Sequence, residues 1–292
     1  MDLVVETDIG HDPDDFFALC YLAAAGVNIR AITISPGDPD QIAIARLFCK
    51  EVGLDIPIGT SKLDRKKLSS GSIHHELLKR YKMPLEAEGD GLGVDLLDGV
   101  FNNYPDAELF VIGPVTSVGS YLKNTGRKIK RATMQGGFLA YNLHDHPVCR
   151  LEQFENKTWM PTFNLNGDRP NGEAFLAADI GERRMVGKNV CHTILYTQKR
   201  WLEFDRQIVV KNVPAYNLFD EASMLYFEKH TDKKFHDPTA AVLHLHPEIA
   251  TWVRGRTVKM DQGWGTVLDP GGDYICADID YDKLWMHLEM CR

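Results

Sequence analysis

No stretch of this 292-residue chain approaches eighteen consecutive apolar residues, and no basic segment followed by a short apolar one opens it. A membrane span and export by a cleaved leader are therefore not expected. Cysteine is sparse. Its six copies, Cys20, Cys49, Cys149, Cys191, Cys276 and Cys291, never fall in C-x-x-C spacing. Neither a zinc cluster nor a disulfide framework is suggested, and a reduced, cytoplasmic chain fits best. Positive charge is also short, with 33 Lys and Arg against 41 Asp and Glu and a net charge of -8. Nucleic-acid binding normally shows as a basic surface, so no nucleic-acid partner is expected. The two short basic clusters, 62–67 and 127–131, read as solvated loop or strand-edge charges. Repeats, low-complexity tracts and linkers are missing too, which leaves residues 1–292 as one domain.

What the chain does have is enough apolar matter for a large core, 44% hydrophobic and 10% aromatic. Strand-like runs alternate with helical patterns. Leu3-Val5 precedes Asp15-Ala25, which closes at Gly26; Ile29-Ile34 precedes Gln41-Val52, which closes at Gly53; Leu109-Ile112 precedes Thr116-Lys123. Strand, helix, strand in this order implies right-handed crossovers, hence an α/β fold with a single doubly wound, mostly parallel sheet flanked by helices. Ligands in such folds sit outside the carboxyl ends of the strands. Further on, a polar stretch from Tyr141 to Pro161 reads as a long loop or flap, followed by a helix near Ala215-Lys229 and another opening at Asp237-Pro238. Strand-like pieces lie at Trp252-Lys259 and Tyr274-Ala277.

The chemistry begins directly after the first apolar run. Five carboxylates fall within ten residues, in Glu6-Thr7-Asp8-Ile9-Gly10-His11-Asp12-Pro13-Asp14-Asp15. Two carboxylates 4 Å apart repel by roughly 4 kcal/mol at an effective dielectric near 20. A helix N-terminus offers each acid only about 0.3–1 kcal/mol. Capping accounts for Asp12 or Asp14 alone, but not for Asp8, which falls at the end of the strand, nor for so many acids together. A bound cation accounts for all of them, and an oxygen-only donor set suits Ca2+ or Mg2+ better than zinc. Further oxygens have two plausible sources, the turn Val111-Ile112-Gly113-Pro114-Val115-Thr116 and the segment Phe235-His236-Asp237-Pro238. The latter is by itself an ordinary helix start, with Asp at the cap and Pro in the first turn. Its histidine gains interest from standing beside a carboxylate, where it is placed to give a proton to a leaving group.

In these residues the chain resembles the calcium-dependent, inosine-uridine preferring nucleoside hydrolases, whose opening motif is D-T-D-x-G followed shortly by D-D. Here the order is Glu6-Thr7-Asp8-Ile9-Gly10, then Asp14-Asp15. Ser35-Pro36-Gly37-Asp38, Gly89-Asp90-Gly91-Leu92-Gly93, Ile112-Gly113-Pro114-Val115-Thr116-Ser117, Gly136-Gly137, Phe163-Asn164 and His236-Asp237-Pro238 follow in the family's order. The resemblance implies hydrolysis of a ribonucleoside to ribose and free base by a Ca2+-bound water. Asp8 would be ligand and general base, Asp15, Asp237 and the Ile112 carbonyl further ligands, and His236 the acid for the departing base. Asp14 and Asn164 would hold the ribose hydroxyls, with Asp38 close to the sugar. The resemblance also implies a nucleoside as partner and a homodimer or homotetramer.

Several residues depart from the family's pattern. Glu6 stands for the usual leading Asp, and the loop is two residues longer, so Asp12 competes with Asp14 for the sugar or joins the ion. Asp38 replaces an Asn, Glu88 a His and Thr162 a Glu. Two rival readings stand beside the hydrolase. One is a Mg2+-dependent phosphatase of the haloacid dehalogenase type, with Gly89-Asp90-Gly91 and Asp95 as its acidic motif and Glu6 at the nucleophile's place. The other is a metal-dependent nucleoside or sugar-binding protein without turnover.

Overall fold

The computed structural model describes residues 1–139, 151–208 and 213–290. In chain order the first half runs β1 (Asp2–Thr7), α1 (Asp14–Ala24), β2 (Asn28–Ile34), α2 (Pro39–Val52), β3 (Ile58–Thr60), α3 (Ser72–Arg80), β4 (Gly91–Leu92), α4 (Gly93–Asn103), β5 (Glu108–Val111), α5 (Thr116–Thr125) and β6 (Ile129–Gln135). After it come β7 (Trp159–Met160), α6 (Phe163–Gly167), α7 (Arg169–Ala177), β8 (Ile180–Val186), α8 (Lys188–Cys191), β9 (Leu195–Thr197), α9 (Gln198–Ile208), α10 (Pro214–Phe227), β10 (Asp232–Lys234), α11 (Asp237–Leu245), β11 (Ala250–Met260), β12 (Gly263–Leu268), β13 (Asp273–Ile279) and α12 (Tyr281–Met290).

The main sheet has the order β4-β3-β2-β1-β5-β6-β8-β13-β11-β12-β7. Every pairing from β4 to β13 is parallel, and only β11, β12 and β7 join antiparallel at one end. The doubly wound, mostly parallel sheet read from the alternating pattern is therefore present. The strand-like pieces read at Trp252-Lys259 and Tyr274-Ala277 are β11 and β13; β11, β12 and β13 follow one another without intervening helices and pair antiparallel, with β7 added at the edge. Consecutive strands run outward on both sides of β1, through β2 to β4 and through β5 to β8. The sheet thus has its topological switch point between β1 and β5, where a crevice opens outside the carboxyl ends of the strands.

Alternation along β1 explains how both faces are covered. Leu3 and Val5 pack on the face carrying α1, α2, α10 and α11, whereas Val4 packs on the face carrying α4, α5 and α7. All three are fully buried, as expected of an interior parallel strand. The same alternation sends Glu6 to the Val4 side, where its fully buried carboxylate meets the start of α5. It accepts the backbone N–H of Ser117 at 2.9 Å and of Val118 at 2.7 Å, and the hydroxyls of Ser35 at 2.8 Å and Thr33 at 3.2 Å.

Distant parts of the chain are joined by an aromatic cluster. Phe17, just after the acidic pair that opens α1, stands 4.6 Å from Phe219 on α10 and 5.6 Å from Phe235, ring centre to ring centre. Tyr196 completes the group at 4.4 Å from Phe235. Because Phe235 immediately precedes His236 and Asp237, burying its ring sets the start of α11 beside the start of α1. Of the expected flap, residues 140–150 lie outside the described residues. Its remainder is not all loop: it contains a 3-10 turn at Glu152–Phe154, with Phe154 buried 5.2 Å from Phe138 and 5.1 Å from His192, and the edge strand β7, which pairs with β12.

Removing the anchoring ring should loosen the site from behind. Phe235→Ala is expected to destabilise the fold by about 3–5 kcal/mol. Chemical denaturation measures this, and a loss below about 1 kcal/mol would mean that the ring is not what holds the two helix starts together.

Candidate active site

Chain reversal at the switch point gathers residues from six separate segments around a cavity of about 330 Å3. Its walls include Asp8, Asp12, Asp14, Asp15, Ile112, Asn164, His236 and Asp237, together with His11, Gln135, Thr162, Phe163, Lys188 and His192. The turn after β5 comes close because residue 113 is glycine. A Cβ there would stand 2.4 Å from the Thr7 carbonyl carbon and 2.5 Å from the Asp8 nitrogen. Any side chain would push the Ile112 carbonyl away from the acidic loop.

The four buried acids differ in what surrounds them. Asp15 accepts a short hydrogen bond from the Thr7 hydroxyl and a second from the Asp8 backbone N–H at 3.2 Å. Burial above all, with Asp12 and Asp14 adding, still pushes its pKa up to about 8. Burial likewise holds Asp8 well above the ordinary carboxylate range, helped by the charges of Asp15, Asp12 and Asp14. Asp237 is raised by burial first and then by Asp15, Asp14, Asp12 and Asp8. The oxygens of Asp8, Asp15 and Asp237 do not all lie within 4.8 Å of one another.

Asp14 goes the other way. Burial acts to raise it, but Lys233 and His236 outweigh burial and hold it below the usual range. Its Oδ2 stands 3.7 Å from the Lys233 ammonium and 3.3 Å from His236 Nδ1, and it accepts the backbone N–H of His236 at 2.9 Å and of Asp237 at 3.3 Å. The other oxygen, Oδ1, is buried with no partner among the described residues. Asp12, by contrast, is committed at both oxygens, accepting the Asp14 N–H at 2.8 Å and the Lys233 ammonium at 3.1 Å. Asn164, on α6, turns its amide nitrogen to the Ile112 carbonyl at 3.0 Å, the Gln135 carbonyl at 2.9 Å and the Gln135 side-chain oxygen at 3.0 Å.

Three carboxylates with raised affinity for protons, beside a backbone carbonyl and an orphaned carboxylate oxygen, form an all-oxygen donor set. Such a set fits a hard divalent cation, Ca2+ or Mg2+, and offers a softer metal no nitrogen or sulfur among its carboxylates and carbonyl. The residues present therefore fit the metal that the sequence motifs imply.

Of the nine residues given catalytic, metal or substrate roles from sequence, Asp38 alone does not line this cavity. It is 1% exposed, forms a short ion pair with Arg65 and starts α2, where its backbone N–H donates to the Gln41 side chain at 2.9 Å. Glu88 lines a second hollow beside Lys62 and Arg65. The phosphatase reading loses its nucleophile, because Glu6 is enclosed by four hydrogen-bond donors on the far side of β1. Its acidic motif is spent as well, with Asp90 accepting from Arg46 and from the Ile58 N–H, both at 2.7 Å.

Sequence reasoning gave no role to Lys233, Lys188, His192, Gln135, His11 or Phe163. Lys233, three residues before His236, was the most accessible of them, since four buried acids need a cation nearby. His192 sits 5.2 Å from His236, ring to ring, and burial, followed by His236 and Lys234, lowers its pKa to about 3.

Family comparison agrees with this geometry. A family model, the inosine-uridine preferring nucleoside hydrolases, matches residues 3–286. The chain belongs to that family. It is accordingly an N-glycosyl hydrolase acting on ribonucleosides, by a fold that solved structures of low sequence identity share. A plant nucleoside hydrolase superposes with a TM-score of 0.73 at 17% identity, covering 99% of this chain and 98% of that one. A purine-preferring ribonucleoside hydrolase from Gardnerella vaginalis gives 0.70 at 15%, covering 100% and 98%. An inosine-uridine preferring nucleoside hydrolase from Bacillus anthracis gives 0.72 at 13%, covering 99% and 98%. A search of curated proteins by sequence finds no match. No helix among the described residues is long and apolar enough to cross a membrane.

The raised acids make a signed prediction for chelated protein. A carboxyl whose folded pKa exceeds its unfolded value stabilises the fold below the unfolded value and loses that contribution as pH rises through the folded one. For Asp15 the window runs from 3.8 to about 8. With a chelator present, Tm should fall across that window, and Asp15→Asn should flatten the fall and raise Tm near pH 8. A steeper fall in the variant would contradict the assignment of the buried charge.

Proposed function

We propose that this nucleoside hydrolase cleaves the N-glycosidic bond of a ribonucleoside with Asp8 as general base, His236 as leaving-group acid and Ca2+ as cofactor. Asp8, Asp15, Asp237 and the Ile112 carbonyl would hold the ion, which when bound neutralises the buried acids and makes a water more acidic. What carries the reading is the meeting of Asp237 with Asp8 and Asp15, more than two hundred residues apart in the chain, around one cavity that also contains the unpartnered Asp14 oxygen.

Each remaining role follows from what the side chain touches. Asp8 lines the cavity with the other acids, where as a ligand of the ion it would stand beside the water whose proton it takes. Asp14 serves twice. Its Oδ2 orients the His236 ring through Nδ1, leaving Nε2 as the nitrogen that passes a proton to the departing base. Its Oδ1 is available to accept a ribose hydroxyl, which Asp12, with both oxygens engaged, is less able to do. Asn164 is locked by three acceptors, so its amide presents a fixed edge to the sugar. Breaking the glycosidic bond builds positive charge on the sugar, which the surrounding carboxylates favour.

The decisive assay is ribose release from a panel of purine, pyrimidine and modified ribosides, with chelator and with Ca2+ restored. Activity is expected to vanish and return, and Asp8→Asn is expected to lower kcat by about 10²–10⁴. Full turnover after exhaustive chelation would refute the cofactor, and riboside binding with ribose at background would indicate a binding protein instead.

His236→Ala separates leaving-group chemistry from general damage. It should slow ordinary nucleosides far more than a nitrophenyl riboside, whose leaving group needs no proton. Equal losses on both substrates would take His236 out of the acid role.

A further inference from the structure

On the face of the protein where α12 crosses the end of α11, three nitrogen and oxygen donors converge that the reaction does not use. His246 ends α11, Glu248 lies in the 3-10 turn Pro247–Ile249 that follows, and His287 is carried by α12. The two imidazoles stack with ring centres 3.6 Å apart and planes 14° from parallel. A Glu248 oxygen lies 3.3 Å from His246 Nδ1, and one donor atom from each of the three residues falls within 4.8 Å of the other two. No other such trio occurs among the described residues.

Backbone and side-chain bonds hold this arrangement. Trp252 donates its indole N–H to the Pro247 carbonyl at 2.8 Å, and the Asp280 N–H donates to the Ile249 carbonyl at 2.8 Å. The first fixes the turn that carries Glu248. The second fixes the approach to α12, whose Leu284 and Leu288 are buried in the core. Two stacked imidazoles gain little by themselves at a half-exposed surface, and protonation would make them repel. A shared dication between them and the carboxylate reverses that balance.

We propose that His246, Glu248 and His287 form a second metal site, taking a transition-metal dication such as Zn2+ with water in the remaining position. Two imidazoles and one carboxylate are a known zinc donor set. The same donors suit Ca2+ poorly, so the two sites sort metals by chemistry, oxygen in the cavity and nitrogen at the α11–α12 junction. The site is a clip between helices, and it is independent of the reaction proposed above.

Cobalt is the probe, because an N/O-bound Co2+ absorbs visibly where Ca2+ is silent. The full chain, held in excess Ca2+, is titrated with Co2+ and then with Zn2+ while absorbance and Tm are followed. One equivalent of Co2+ should develop a visible band that Zn2+ displaces, and Zn2+ should raise Tm. His287→Ala and Glu248→Gln should each abolish the Tm rise and weaken Co2+ binding by at least the 10–100-fold that losing even a supporting partner costs. Ribose release should stay at the wild-type level in both variants, and Asp15→Asn should keep the band. Wild-type-like Co2+ binding in both variants, or a band that Asp15→Asn removes, overturns the proposal.

Discussion

Buried like charge at the carboxyl end of β1 is the constraint around which this protein is organised. Four acids are buried there, and burial first, then neighbouring acids, raises the proton affinity of Asp8, Asp15 and Asp237. An arrangement of that kind persists only if packing elsewhere holds it. Here the holding is done by aromatic rings, for Phe17 follows Asp14-Asp15 and Phe235 precedes His236-Asp237, so the burial that brings the rings together brings the acids together as well. Stability and site are therefore in opposition at adjacent residues. The core draws the helix starts inward, and the carboxylates at their tips resist.

Within one acidic loop the carboxylates divide by direction rather than by type. Glu6 and Asp8 are two residues apart, yet Glu6 is the last acid inside the strand and faces the helix layer, whereas Asp8 lies past the strand's end and faces the crevice. Four donors satisfy Glu6 and make it a structural bolt between β1 and α5. Asp14 and Asp15 are neighbours, but Lys233 and His236 reach only the first, so one is held ionised and the other is held back from ionising. Neighbouring carboxylates with opposed proton affinities are a recurring feature of catalytic sites.

How much of this was readable in the chain depends on how local each feature is. The parallel sheet was legible because strand and helix patterns alternate within short windows, and β1, α1, β2, α2, β5, α5, α10 and α11 fall where periodicity placed them. Short strands such as β3 and β4 were not, since two or three residues carry no period. The acidic loop was legible because its members are contiguous, but Asp237, one of two candidate oxygen sources, was assigned as a ligand only through family resemblance. Lys188 and His192 flank one short helix, α8, and Gln135 ends β6, so no local pattern joins them to the acids. Glu6 was readable in principle, since alternation from Val4 puts it on the α5 side. Asp38 was similarly within reach, standing three residues before Gln41 and just before Pro39, the ordinary wording of a helix start.

The cavity is lined by acids and bases together, and this bears on bond cleavage. Asp8, Asp15 and Asp237 share it with Lys188, His192 and His236, and Lys233 stands against Asp14. In glycosidic cleavage the sugar gains positive charge as the base gains negative charge. Carboxylates beside the sugar and a proton donor beside the base would favour the separated charges of the transition state over the neutral bound nucleoside, which is the condition for lowering a barrier rather than merely tightening binding.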